Sequence, residues 1–468
     1  MRILLVEDET APIVAVREEL EAAGIHASIT EAGSKDSAVK ALAASEFDVV
    51  VCDLRIPTVD GALDKQDEHG VAVIMEIVAN HPSSKVLILS GFATMENIGG
   101  IANRPERDLF GTGTPEPVVV YAPKGDYSIC IGHLARVQGE LQSLDDIELE
   151  CTGLVLSEGQ RRAVQVYARM RDGRRVEVRP GAPGLSGATT FRISIFDGAG
   201  LRRGQAFVKL DDRDSALDEE RRFHRHVAGT LPAGSHPSLT ASVLANGGQV
   251  ALFYTLLGGP ATSLFEALAK DEAKACEILA EMQATEDGSW LDGASSHETT
   301  VREVRVGRGG NEVLMDQYLV GVDWRDFETR KVLVRGGVQH GDMHGENVMV
   351  EAGGKWFLVD FAHTGPADAS VDAVQLELSL LFHPNGRAIV GAWPSLAELA
   401  IWPDVESYAI TSPAPAFIRA TRSWAFSSGG GRRAVLATAY GHATKQLCHP
   451  NMDPTRVHAL VTSIIAAW

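Results

Sequence analysis

The sequence predicts two folds in series: an α/β doubly wound parallel sheet, then an α+β unit in two lobes. Three observations carry this. At 468 residues the chain is too long for one ordinary core. Its first third alternates short apolar strands with amphipathic segments of helical period, the pattern of βαβ units. The remainder places strands early and helices late, so its α and β layers are segregated. An apolar share of 45% beside 22% charged residues describes a folded chain, not a disordered one.

In order, "RILLVE", "DVVVCDL", "KVLILSG" and "PVVVYAP" are Val/Ile/Leu-rich runs suited to strands buried on both faces. Between them, "APIVAVREELEAAG", "SKDSAVKALAAS" and "HGVAVIMEIVANH" carry helical spacing. Cys130 to Gln142 reads as a closing helix, which puts the first domain at residues 1–138 and an acidic connector at 139–156. The second domain is expected over 157–468, with lobes at about 157–258 and 259–468. Its helix "LSEGQRRAVQVYARM" and strand "RRVEVRP" precede a Gly-rich turn, "GAPGLSGATT". Strands "FRISIF" and "QAFVKL" and a charged helix "ALDEERRFHRHVA" follow. Beyond "ALFYTLL" the pattern is mainly helical, and "SSGGGRR" near Ser427 reads as a flexible loop.

Bulk properties exclude several classes. A formal charge of −19 opposes binding to nucleic acid or an anionic membrane, although Arg202-Arg203 and Arg221-Arg222 are local basic pairs. The five cysteines form no CxxC pair, as expected of a reduced protein. Neither a signal peptide nor a membrane span is readable, so a cytoplasmic location is expected. Without a helix-turn-helix, a DNA-binding regulator is disfavoured.

Functional crevices of doubly wound sheets lie at the carboxyl ends of the strands. Glu7 and Asp8 follow the first strand there, Asp53 ends "VVVCD", Ser90 ends the next strand and Lys124 the last. Crowded carboxylates suit a hard cation such as Mg²⁺, and the whole set suits an aspartate that accepts a phosphoryl group. These residues resemble the receiver domain of two-component response regulators over roughly the first 135 residues. The resemblance implies a flavodoxin-like fold, with Asp53 as phosphoacceptor and Glu7, Asp8 and Asp53 as Mg²⁺ ligands. It also implies Ser90, Tyr121 and Lys124 as the switch, a sensor histidine kinase as partner, and a homodimer through the receiver as an option. Two departures stand out: Gly125 where the family places Pro after the Lys, and long loops "TVDGALDKQDEHG" and "FATMENIGGIANRPERDLFGTGTPEP".

The stretch "VQHGDMHGENVMV" crowds His340, Asp342, His344, Glu346 and Asn347 between apolar runs. A bland polar turn leaves the following "FLVDF" acid unexplained. Zinc would use His340 and His344 at i, i+4, but Gly341 and Gly345 oppose a helix there. Phosphoryl transfer accounts for all of it. Asp342 can orient or deprotonate an acceptor hydroxyl, Asn347 offers a neutral oxygen to Mg²⁺, and Asp360 at a strand end supplies a charged ligand. His340 and His344 then brace the loop.

"HGDMHGEN...VDF" resembles the aminoglycoside phosphotransferase and choline kinase family, whose fold is protein-kinase-like, over about residues 155–385. That implies ATP and Mg²⁺ as cofactors. Gly184, Ser186 and Gly187 would arch over the phosphates, Lys209 would reach them, and Glu219 or Glu220 would pair with Lys209. "ALFYTLLGG" would meet adenine, and Asp372 would be a helix cap or brace. The expected function is a response regulator whose output transfers phosphate to a hydroxyl, on a protein Ser/Thr or a small alcohol, under control of Asp53. The alternative is a catalytically silent, nucleotide-binding pseudokinase scaffold.

Overall fold

The computed structural model describes residues 1–91, 106–181, 188–245, 248–256 and 261–468. The chain divides into two compact units, Met1–Leu217 with Leu239–Leu256, and Asp218–Ser238 with Leu257–Trp468.

The first unit opens with strands β1 (Arg2–Val6), β2 (Ser28–Ala32), β3 (Val49–Cys52) and β4 (Lys85–Ser90). A two-residue hairpin, β5 (Glu106–Arg107) with β6 (Glu116–Pro117), precedes β7 (Val119–Pro123). The five-stranded sheet is all parallel, in the order β2-β1-β3-β4-β7. Every residue of β3 and β4 is buried, as a strand covered on both faces requires. Helices α2 (Lys35–Ala44) and α3 (Asp67–Asn80) cover one face, while α1 (Thr10–Ala22) and α4 (Tyr127–Asp145) cover the other. This is the doubly wound sheet expected, with one strand that periodicity does not reveal. β2, "SITEA", lies at the sheet edge and is mostly polar, so it lacks an apolar run.

Six more strands form the second sheet of this unit: β8 (Glu148–Cys151), β9 (Arg175–Pro180), β10 (Thr189–Phe196), β11 (Arg202–Asp212), β12 (Leu239–Ala245) and β13 (Gln249–Thr255). Their order is β12-β13-β11-β10-β9-β8, antiparallel except for the β8–β9 pair. Helix α5 (Glu158–Arg169) starts on a Ser157/Gln160 capping box and packs on this sheet, with Tyr167 stacked on Phe253 at 3.9 Å. The residues expected to be a connector are therefore the end of α4 and an edge strand.

The second unit carries two small sheets. One orders β14 (Ala261–Ser263), β17 (Val348–Glu351) and β18 (Trp356–Leu358) as β14-β17-β18. The other orders β15 (Ser296–Thr300), β16 (Lys331–Gln339) and β19 (Gly365–Asp368) as β15-β16-β19. Helix α6 (Arg213–Arg222) runs into a π-helical turn at Phe223–Val227. Helices α7 (Glu272–Asp287), α8 (Val301–Arg308), α9 (Val371–Phe382), α10 (Pro415–Gly429) and α11 (Arg432–Gln446) form most of the rest. α9 is buried along its whole length. The "SSGGGRR" segment is not a flexible loop: Ser427 and Ser428 lie in α10, and Gly430 and Gly431 turn the chain into α11 at φ +90° and +117°. Glycine tolerates that backbone, so two helices join with almost no linker.

Arg422 on α10 donates to both oxygens of Glu377 on α9, at 2.7 and 2.5 Å, and Trp402 Nε1 donates to the same carboxylate at 2.8 Å. Both charged side chains are at most 2% exposed. Removing one partner leaves the other buried and uncompensated. Arg422→Ala should therefore lower unfolding stability by about 3–5 kcal/mol, seen as a lower denaturant midpoint by circular dichroism.

Candidate functional site

In the first sheet, the carboxyl ends of β1, β3, β4 and β7 bring Glu7, Asp53, Ser90 and Lys124 together. Lys124 Nζ lies 2.6 Å from Glu7 Oε2 and 2.7 Å from Asp53 Oδ2. Burial and the neighbouring Asp53 charge push Glu7 above the usual carboxylate range, despite Lys124. Burial pulls Lys124 down, but its hydrogen bonds to Asp53 and Glu7 outweigh this and raise it. Asp8 points to a different cation: Lys65 Nζ lies 2.6 Å from Asp8 Oδ2. Lys65 comes from the long loop after β3 and carries no motif signal. Tyr121 donates from its hydroxyl to the Ser90 carbonyl at 3.1 Å, so the aromatic ring is tied to the end of β4.

Among the described residues, no three His, Cys, Asp or Glu side chains converge closely enough to hold a metal ion by themselves. The three receiver acids are instead engaged by Lys124 and Lys65. Asp53 Oδ1 and Asp8 Oδ1 are nevertheless buried without hydrogen-bond partners among the described residues. Two orphaned carboxylate oxygens beside Glu7 are a donor set that fits a hard, oxygen-seeking cation.

In the second unit, β16 ends at Gln339 and β17 begins at Val348, with Asp342 on the turn between them. Gly341, at φ +81°, sets that turn, and a Cβ there would stand 2.4 Å from the His363 carbonyl. The turn is fixed from behind by α9. Asp372 accepts from the backbone N–H groups of His340 at 2.6 Å and Gly341 at 2.9 Å. Gln375 accepts from Met343 N at 3.1 Å and donates to Gly341 O at 3.0 Å. His340 bonds the Val359 carbonyl at 3.0 Å, so it braces the loop. Asn347 donates from Nδ2 to the Asp342 carbonyl at 2.8 Å, leaving its oxygen for another partner.

β17 and β18 pair antiparallel, with Val348 opposite Leu358, which places Asp360 just past the end of β18. Asp360 has φ +66°, a left-handed conformation that is uncommon outside glycine. Backbone strain of this kind clusters at ligand-holding positions. Phe361 behind it is buried against Phe223 and His340, at ring distances of 5.6 and 5.5 Å.

Lys209 lies in the middle of β11, opposite Thr190 and Leu252, and is 5% exposed. Of the two glutamates on α6, Glu219 is buried and Glu220 is half-exposed, so Glu219 faces inward. Gly184, Ser186 and Gly187 lie outside the described residues, as does the end of the "ALFYTLLGG" segment.

Two cations near Asp342 carry no sequence signal. Arg308, which ends α8, donates from Nη2 to Gly341 O at 3.0 Å. Lys445, near the end of α11, is within electrostatic reach of Asp342. Only the packing of distant helices could reveal either.

Two family models match the chain: the response regulator receiver domain over residues 3–103, and the phosphotransferase enzyme family over residues 184–397. No curated protein matches it. Similar solved structures include a CheY-like receiver domain protein from Methanospirillum hungatei JF-1, 18% identical, with a TM-score of 0.23, covering 30% of this chain and 96% of that one. The response regulator TrrA from Thermotoga maritima, in complex with Mg²⁺ and BeF, is 20% identical with a TM-score of 0.22, covering 29% of this chain and 97% of that one. A thermostable mutant of aminoglycoside phosphotransferase APH(4)-Ia, in its apo form, is 12% identical with a TM-score of 0.38, covering 61% of this chain and 92% of that one.

His344 Nε2 stands 3.7 Å from Asp342 Oδ2, and its ring packs 4.6 Å from that of His383. His383 Nδ1 accepts from Asn385 N at 3.2 Å, which a protonated ring could not do. Burial, helped by His344, pushes His383 down to about 4. Its folded value thus lies below its unfolded one, so the unfolded chain takes the proton first. The stability contribution is complete above about pH 6.5 and is lost as pH falls toward 4. Histidine-labelled NMR should show His383 neutral at pH 5.5. The denaturation midpoint should drop between pH 6.5 and 4.5, less steeply in His383→Asn, which retains a capping acceptor.

Proposed function

We propose that this chain, a receiver domain joined to a phosphotransferase-family domain, is a cytoplasmic response regulator whose output is phosphoryl transfer from MgATP to a hydroxyl. The observation that carries this reading is the turn bearing Asp342. It is locked by Asp372 and Gln375 from behind, and its aspartate side chain remains 39% exposed. A rigid backbone with an accessible carboxylate is what a positioned base needs. Asn347 and Asp360 would hold Mg²⁺, which supplies charge neutralisation of the phosphates. Lys209 would neutralise phosphate charge from β11. Asp342 would accept the acceptor's proton as its oxygen attacks. The fixed turn speaks for catalysis over a silent scaffold, since nucleotide binding alone does not require it.

At the receiver, a sensor histidine kinase would phosphorylate Asp53, with Mg²⁺ on the oxygens of Glu7, Asp8 and Asp53. A route out of the receiver exists within the first unit. Phe110, on the loop between β5 and β6, packs against both the receiver core and the core of the second sheet. Arg169 on α5 joins Glu140 on α4 at 2.6 Å. Rearrangement at Ser90 and Tyr121 would be felt along this path, because the β5–β6 hairpin joins the strands that carry them.

Asp53→Asn should abolish labelling of the receiver by acetyl phosphate while MgATP binding persists; full labelling of the variant refutes the assignment. Asp342→Asn preserves the turn but removes the proton acceptor. Turnover should then fall by roughly two to four orders of magnitude, with nucleotide affinity nearly unchanged by calorimetry. Loss of both together, or of neither, argues for a scaffold.

A further inference from the structure

The acceptor is the part of the reaction that the catalytic turn leaves open, and the charges around Asp342 bear on it. The chain as a whole carries −19, yet the two long side chains that approach the turn from α8 and α11 are both cationic. Arg308 is anchored by its bond to Gly341 O at 3.0 Å, and its Nε is buried without a partner among the described residues. The Lys445 ammonium makes no hydrogen bond or ion pair with any described residue, although the side chain is half-buried. Burial and the Arg308 charge pull Lys445 below the usual lysine range, so its charge is held there against resistance.

The remaining groups facing this corner do not neutralise it. Burial holds His344, His363 and His442 below the ordinary histidine range, so they are uncharged near neutral pH. Asp372 is committed to the backbone N–H groups of the turn. Burial pushes Asp368, near Arg308, above the usual carboxylate range. Cys448, beside Lys445, is exposed. Asp342 is therefore the acid closest in role, and it is reserved for the acceptor's proton.

We propose that Lys445 and Arg308 form an anion-binding edge of the acceptor site, so that the alcohol phosphorylated beside Asp342 carries a phosphate or carboxylate group. This rests on the phosphotransferase reading above. In the step itself, the acceptor O–H bond breaks as its oxygen bonds the γ-phosphorus. The proton passes to Asp342, the bond to the β-phosphate oxygen breaks, and ADP leaves. An anionic group on the acceptor supplies Lys445 with the direct ion-pair partner it lacks among the described residues, since Asp342 acts on it only through space. A cationic acceptor would instead meet two like charges.

The test uses the full chain loaded with MgADP and matched diols: glycerol 3-phosphate, glycerate, glycerol and 3-aminopropane-1,2-diol. By calorimetry, at least one anionic diol should bind about tenfold or more tighter than the neutral and cationic ones, the scale of one charge-assisted hydrogen bond. The phosphate and carboxylate arms distinguish the two sources of charge. Lys445→Ala should lose about tenfold of that preference and Lys445→Arg should keep it. With MgATP, the loss should appear in KM more than in kcat. Binding indifferent to charge, a preference untouched in Lys445→Ala, or no binding of any diol overturns the anion edge. Charge-selective binding without transfer keeps the edge and rejects the phosphotransferase reading. Preferred transfer to the neutral or cationic diol does the reverse.

Discussion

The Asp372 carboxylate, fully buried at the start of α9, is the interaction on which the Asp342 turn of the second unit depends. It accepts the two backbone N–H groups that precede Asp342. Those groups need a partner, because they sit where water does not reach. Burial raises Asp372, and the two N–H groups pull it back toward ionisation. Glu286 on α7 has no side-chain hydrogen-bond partner among the described residues, and burial, with the Asp372 charge, pushes it well above the usual carboxylate range. Everything forward of those two N–H groups follows from the anchored backbone: the exposed Asp342 side chain, the Asn347 bond to its carbonyl, and the His340 link to the strand leading to Asp360.

The receiver pocket solves a similar electrostatic problem by different means. Its acids cannot all remain charged and close without a cation. Lys124 bridges Glu7 and Asp53, and Lys65 draws Asp8 aside. A divalent ion on these oxygens would compete with at least one lysine. The long loop after β3 is thus more than a spacer, because it delivers the cation that holds Asp8 in this arrangement.

What the sequence disclosed follows from the range of the interactions. The Asp342 turn was legible because Asp342, Asn347 and the glycines lie within eight residues of one another. The buried strands β1, β3, β4 and β7 were legible because burial on both faces demands continuous apolar runs. Edge strand β2 was not, since polar residues suit an edge. That Glu219 rather than Glu220 is buried could not be read from one turn of helix. Lys65, Arg308 and Lys445 were silent because each acquires its role from an element remote in sequence. The "SSGGGRR" segment misled for a related reason: three glycines in a row mark a backbone freedom, and the structure spends it on a tight turn between two buried helices.

The join between the domains is where composition was least informative and the structure most specific. An acidic stretch between two folds reads as a solvated linker. Here α4 ends at Asp145 and Glu148–Cys151 already pairs with β9, extending the neighbouring six-stranded sheet. Phe110 adds an apolar contact to both cores, and Gly111 comes so near α5 that a Cβ would stand 2.5 Å from the Val166 carbonyl. A flexible tether averages out small displacements, whereas packed side chains and a shared sheet edge transmit them. A shift of the β5–β6 hairpin therefore has to be accommodated in α5 and the sheet beneath it. That mechanical continuity, more than any charge on the connector, is what physically couples the first sheet to the sheet that carries Lys209.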